Sequence, residues 1–144
     1  MRRVLLLWLM VFVTGCGAKG PPVAQVSGTV TYKGEPLAHA KVLFISAVGR
    51  PAQGETDAAG KFTLTTNSPG DGAVVGEHTI VITKLGPPAG MSEAEFQEKR
   101  KTAAAGSTVP GKSAIPDKYT MVQSSPLKAT VPAGGNSSLE VKLD

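Results

Sequence analysis

The chain has 144 residues, of which 41% are hydrophobic and 18% charged, with a formal net charge of +4. That length holds one domain of ordinary size, and a single cysteine excludes any intramolecular disulfide framework. Lys and Arg total 15 against 11 acidic residues and form no dense stripe, which excludes the electrostatic footprint of a nucleic-acid binder.

Met1-Arg2-Arg3 is followed by ten uncharged residues, VLLLWLMVFV, ending at Val13. A positive start and a short apolar run make a secretory signal, too short for the roughly 20 residues of a membrane-spanning helix. The next residues, Thr14-Gly15-Cys16, resemble the bacterial lipobox, which implies that the thiol of Cys16 carries diacylglycerol and that cleavage precedes it. Several acyl chains, at about 0.8 kcal/mol per buried CH₂, hold a protein stably in a bilayer where one chain does not. The alternative is an ordinary signal cut after Ala18. Under the lipobox reading residues 1–15 are the signal, residues 16–24 a tether rich in Gly and Pro, and residues 25–144 the domain. Loss of Arg2 and Arg3 then lowers the formal charge from +4 to +2. Gly17 rather than Asp beside the lipidated residue points toward the outer membrane in bacteria that follow that sorting rule.

From Gln25 the pattern alternates, with Val26, Gly28, Val30 and Tyr32 on one face and Ser27, Thr29 and Thr31 on the other, as in a half-buried strand. A turn at Lys33-Gly34-Glu35-Pro36 leads to KVLFI (41–45), apolar on both faces. Further strands are predicted over 61–65, 77–84, 127–131 and 138–143, separated by the turn signals TDAAG (56–60) and SPGDG (68–72). This rhythm predicts an all-β, seven-stranded antiparallel β-sandwich.

The strings VSGTVTYKGEPLAHAKVLF (26–44), TDAAGKF (56–62), GDGA (70–73) and GEHTIVI (76–82) resemble the carboxypeptidase regulatory-like module of the transthyretin-like, or prealbumin-like, fold. The chain is similar in particular to small bacterial lipoproteins built from that module alone, which share an Ile-Pro-Xaa-Lys-Tyr element, here IPDKY (115–119). The resemblance implies a fold and no reaction, because the module accompanies peptidases without being one. Hydroxyisourate hydrolases, enzymes among the transthyretin relatives, end in Tyr-Arg-Gly-Ser, whereas this chain ends LEVKLD.

Residues 85–114 interrupt the strand rhythm as an insertion longer than connections inside compact domains usually are. Within it, Ser92 and Glu95 are spaced as a capping box and Met91 and Phe96 as a hydrophobic staple, with Lys99, Arg100 and Lys101 at the far end. A short, mostly solvated helix on a long loop is expected, adding little to the core.

The same insertion holds GSTVPGKS (106–113), which fits the phosphate-loop pattern. Such a loop needs a strand before it and a helix after it, and here Ala103-Ala104-Ala105 precedes and Pro116 follows; neither nucleotide nor nucleic acid is expected as a partner. His39 and His78 are too few for zinc chemistry, and His78 shares the parity of Ile80 and Ile82, as a structural histidine would. Asp57 and Asp71 sit in Gly-bearing turns, where a carboxylate accepts backbone amides. No cofactor, metal or catalytic residue is assigned, so the one site residue is Cys16. The sequence thus favours a lipid-anchored, non-catalytic envelope module, tied to the membrane through Cys16 and facing a protein or polysaccharide partner. The alternative is a small envelope hydrolase, which would gather at least three polar or titratable side chains in one cleft.

Overall fold

The computed structural model describes residues 20–103 and 111–144. In chain order the strands are β1 (Val23–Ala24), β2 (Val26–Tyr32), β3 (Glu35–Pro36), β4 (Lys41–Ser46), β5 (Ala52–Glu55), β6 (Lys61–Thr63), β7 (Ala73–Val74), β8 (Gly76–Thr83), β9 (Leu85–Gly86), β10 (Lys112–Ser113), β11 (Lys128–Val131) and β12 (Asn136–Leu143). One α-helix, α1 (Glu93–Thr102), and a 3₁₀ turn (Asp117–Tyr119) complete the described residues. The protein is all-β apart from these.

Besides the two-stranded pairs β1–β7 and β9–β10 there are two larger sheets, of which one has the order β11-β8-β4-β5, antiparallel throughout. In the other, β2 is central, with β12 on one side and β3 and β6 on the other. The two meet where Gln53 and Thr65 exchange backbone hydrogen bonds of 2.9 and 2.8 Å. One pairing departs from the expected antiparallel arrangement: β12 runs parallel to β2, from Leu139 opposite Gly28 to Leu143 opposite Tyr32.

Alternation builds the core. Val26 and Val30 of β2, Val42 and Phe44 of β4, Ile80 and Ile82 of β8, and Val141 and Leu143 of β12 all turn inward into one buried cluster. Burying a side chain of this size stabilises by roughly 1.5–3 kcal/mol. β4 is apolar on both sides, yet only Val42 and Phe44 are fully buried; Leu43 and Ile45 are half-buried on the outer face.

Turn chemistry fixes the register. Lys33 and Gly34 both have positive φ, 52° and 87°, the geometry a tight hairpin between β2 and β3 requires. Gly60, at φ 74°, closes the turn after Asp57, donating to the Asp57 carbonyl at 3.0 Å while its own carbonyl accepts from the Val30 amide at 2.8 Å. Buried Thr56 accepts from the Ala40 amide at 2.8 Å and donates to the Leu37 carbonyl at 2.6 Å, locking the turn that enters β4.

The segment after the insertion closes the core. Ile115 and Tyr119 are buried in the main cluster, and the Tyr119 hydroxyl accepts from the Asp144 amide at 3.1 Å. Helix α1 starts at the expected capping box, with the Ser92 and Glu95 side chains each reaching back to the other's backbone amide. It is the mostly solvated helix that the sequence predicts, with one exception. Phe96 is fully buried, lying over Gly111 and Leu85: a Cβ placed on Gly111 would sit 2.9 Å from Phe96 Cζ and 3.2 Å from Leu85 Cβ. Phe96 is not part of the main core cluster and packs instead within the insertion, against Gly111 just before β10. Among the described residues, no helix is long and apolar enough to cross a membrane.

Candidate functional site

Cys16 lies outside the described residues, as do residues 106–110 of GSTVPGKS. The end of that motif is placed: Lys112 and Ser113 form β10, paired antiparallel with Gly86 and Leu85. The next helical element is the three-residue 3₁₀ turn at Asp117–Tyr119, so Lys112 stands on a strand and not at a helix N-terminus where amides would converge on phosphate.

Asp57 and Asp71 both serve their own turns. Asp57 Oδ1 accepts from the amides of Ala59 and Lys61, each at 2.9 Å. Asp71 accepts from the amides of Thr66, Asn67 and Ser68 at 2.7, 2.9 and 3.0 Å. The Thr66 amide leads in holding the Asp71 carboxyl below the ordinary aspartate range, partly opposed by desolvation and reinforced by the Ser68 and Asn67 amides.

His78 is buried among core side chains, its ring 5.6 Å from that of Phe44. Its Nε2 lies 2.6 Å from the Val74 carbonyl, which only accepts, so Nε2 carries the proton. His78 is thus buried on the parity of Ile80 and Ile82, as expected, but only one of its ring nitrogens is satisfied: Nδ1 is buried without a partner. His39 takes positive φ, 53°, in the turn before β4, and its amide donates to the Thr56 carbonyl at 3.0 Å. Lys99, Arg100 and Lys101 occupy the last turn of α1, where cations complement the helix dipole. No group of three or more His, Cys, Asp or Glu among the described residues is arranged to hold a metal ion.

A groove of about 730 Å³ runs over the outer face of β12, β2 and β6. Hydroxyls of Ser27 and Thr29 on β2, Thr63 on β6 and Ser138 on β12 line it, and the charged groups of Glu55, Asp57, Lys61 and Glu140 surround them. Two local irregularities shape it. Between the pairs Asn136–Val26 and Leu139–Gly28, β12 has two residues, Ser137 and Ser138, where β2 has one, Ser27, so Ser137 and Ser138 form a bulge that re-aims them. The bulge is pinned by the Ser27 hydroxyl donating to the Ser137 carbonyl at 3.3 Å and the Ser138 amide donating to Asn136 Oδ1 at 3.0 Å. Beside it Gly28 lets β12 approach closely; a Cβ there would lie 2.1 Å from the Leu139 carbonyl oxygen.

The groove brings four titratable side chains together, which meets the gathering expected of a hydrolase, but not its connectivity. A nucleophile needs a base in hydrogen-bond reach. Ser27 bonds a backbone carbonyl, Asp57 is occupied by amides, and neither histidine lines the groove. The arrangement offers hydroxyl donors and acceptors in rows on adjacent strands, with three carboxylates and one ammonium among them. The sequence hid it because Ser and Thr on one strand face read as ordinary solvated residues; the local signals were Gly28 inside a strand pattern and the Gly134-Gly135-Asn136-Ser137-Ser138 run that becomes the bulge. Comparison with family models, with curated proteins and with solved structures gives no match.

Proposed function

We propose that this chain is an exported, lipid-anchored, non-catalytic binding module of a bacterial cell envelope, a transthyretin-like β-sandwich of the carboxypeptidase regulatory-like kind held to the membrane through Cys16. The sandwich reading is supported by inward-facing rows from two sheets meeting in one core, and by the structural duties of Thr56, Gly60, Ile115 and Tyr119, which belong to the motifs that carry the resemblance. The anchor reading rests on the ten-residue apolar run and on the position of Cys16 behind it. Mass spectrometry of the native N-terminus tests it: an acylated Cys16 is expected, and Cys16→Ser should leave the precursor unmodified. An unmodified native chain beginning at Lys19 would remove the anchor.

The observation that carries a binding role is the 730 Å³ groove, lined by strand-borne hydroxyls with no nucleophile and base paired among them. Its carboxylates, Glu55, Asp57 and Glu140, outnumber its one lining ammonium, Lys61, even with Lys142 lying 3.2 Å from Glu140, so it favours a polar polymer without net negative charge. Titration calorimetry with a neutral glucan, an amino-sugar polymer and a lysine-rich peptide, using native protein and a Glu55→Ala/Glu140→Ala variant, tests this. Binding of one probe, lost in the variant, is expected. Ester hydrolysis by the native protein that disappears in Ser138→Ala would instead make the groove a hydrolase site.

A further inference from the structure

Strand direction sorts the loops into two ends. The Val75 amide donates to the Pro22 carbonyl at 2.9 Å and the Asn136 amide to the Gln25 carbonyl at 2.8 Å, so β8 and β12 both start beside the tether. β2 also starts there, at Val26, and runs about 20 Å for its seven residues at about 3.3 Å each. Because β4 opposes β8, with Ser46 against His78 and Lys41 against Thr83, β4 ends near the tether. The loop after β4 returns to it: a Cβ on Gly49 would be 2.9 Å from Pro21 Cγ. At the opposite end the Lys33 amide donates to the Leu143 carbonyl at 2.9 Å, Lys84 Nζ donates to the Ala38 carbonyl, and the insertion departs after Thr83.

Charge follows the same division. The loops at the tether end, residues 47–51, 66–72 and 132–135, read AVGRP, TNSPGDG and PAGG, with Arg50 their one cation and Asp71 their one acid, and exposed Glu77 at the start of β8 is the next charge along. The Asp71 carboxylate is already turned inward onto three amides. The far end instead carries the Lys33, Glu35 and Lys41 side chains and every charge of α1. In the tether-end loops Val48 is 59% exposed, and Val23 of β1, next to the tether, is 37% exposed; the other exposed large apolar side chains among the described residues, Met121 and Val122, follow the 3₁₀ turn.

We propose that the tether end, with Val48 at its tip and Arg50 beside it, lies directly on the bilayer that holds the lipid on Cys16, setting the domain upright with the insertion pointing away. This rests on the anchor reading. Three residues separate Cys16 from Gly20, so the four steps between them reach about 14 Å fully extended, less than the length of β2; this end cannot leave the headgroups, whereas the far end can. Charged groups are costly to dehydrate at a lipid surface, whereas a bare valine gains by burial, and one arginine pairs with lipid phosphate.

The only tryptophan is Trp8, inside the segment that the lipobox reading removes, so the mature protein offers a tryptophan-free background. Val48→Trp, Ala133→Trp and, as the distal control, Lys101→Trp are each prepared as the lipidated protein in vesicles of phosphatidylethanolamine and phosphatidylglycerol, with and without bromine on the acyl chains. The tryptophans at 48 and 133 should shift to the blue and lose most of their emission to the brominated lipid, while that at 101 keeps its emission. Equal quenching at all three, or quenching only at 101, overturns the orientation. Acylated Cys16 with no quenching at 48 or 133 overturns the contact while leaving the anchor intact. A chain without acylation overturns both.

Discussion

Thr56 offers the sharpest test of how the fold is held. It is buried, and its hydroxyl both accepts from the Ala40 amide at 2.8 Å and donates to the Leu37 carbonyl at 2.6 Å, while its own backbone amide donates to the Ala40 carbonyl at 2.9 Å. Ala40 is fully buried and Leu37 nearly so, which keeps water from replacing those bonds. Thr56→Val preserves shape and removes only the hydroxyl. It strands one donor and one acceptor at about 1–3 kcal/mol each, so a total near 3 kcal/mol is expected. For a domain of this size that lowers the midpoint of thermal unfolding by roughly 10 °C. Thr56→Ser keeps the hydroxyl and loses a methyl group, costing only about 1 kcal/mol. Urea unfolding of the three proteins measures both differences. A Thr56→Val protein as stable as Thr56→Ser would show that the turn before β4 is held by packing alone and would refute the accounting.

At Asp71 the folded-state value is depressed, so its contribution is fully present above the unfolded value and is lost as pH falls through the lower folded one; Asp71→Asn, costing about 1–2 kcal/mol for this partly exposed group, should unfold earlier than native at pH 7 and converge with it as pH falls below the ordinary aspartate range in urea titrations. Lys112→Ala should change neither the unfolding midpoint nor any response to ATP, because β10 gives that side chain no helix N-terminus to complete; saturable ATP binding lost in the variant would contradict this. Phe96→Ala should open the insertion locally, seen as faster proteolysis at Lys99, Arg100 and Lys101, while the main transition moves little, because Phe96 stands outside the main cluster. A drop of the global midpoint by the roughly 3–5 kcal/mol of a core Phe→Ala change would show that the insertion and the core unfold as one.

Where one residue type has one local solution, the sequence was readable. Alternating valines on β2, Gly60 at positive φ after Asp57, and the Ser92–Glu95 capping box each depend on neighbours a few positions away, and each appears where expected. The misses are non-local. β5 reads Ala-Gln-Gly-Glu, without a branched or aromatic residue; it is a strand because Ala52 packs fully buried beside Phe44 and because Gly54 lets the Thr63 backbone pass, a Cβ there falling 2.6 Å from the Thr63 carbonyl oxygen. The parallel pairing of β12 with β2 joins the two ends of the domain, which no local pattern announces.

The groove was illegible for the same reason, carried further. Ser27 and Ser137 are 110 positions apart, and the hydroxyl rows of β2, β6 and β12 become a site only because the bulge at Ser137 and Ser138 and the bare Cα of Gly28 bring those strands together. Each residue alone has the composition of a solvated strand face. What separates a binding face from a merely wet one is the concavity set by register, together with an uneven charge count across neighbouring strands. A glycine inside a strand pattern was the one visible mark of close backbone approach. Gly28 shares the inward parity of Val26 and Val30, so a side chain there would gain core contacts if space allowed; the Leu139 carbonyl occupies that space instead. The β12–β2 contact that excludes a side chain at Gly28 is therefore the same contact that holds the groove floor in place, so fold and candidate site are set by one constraint.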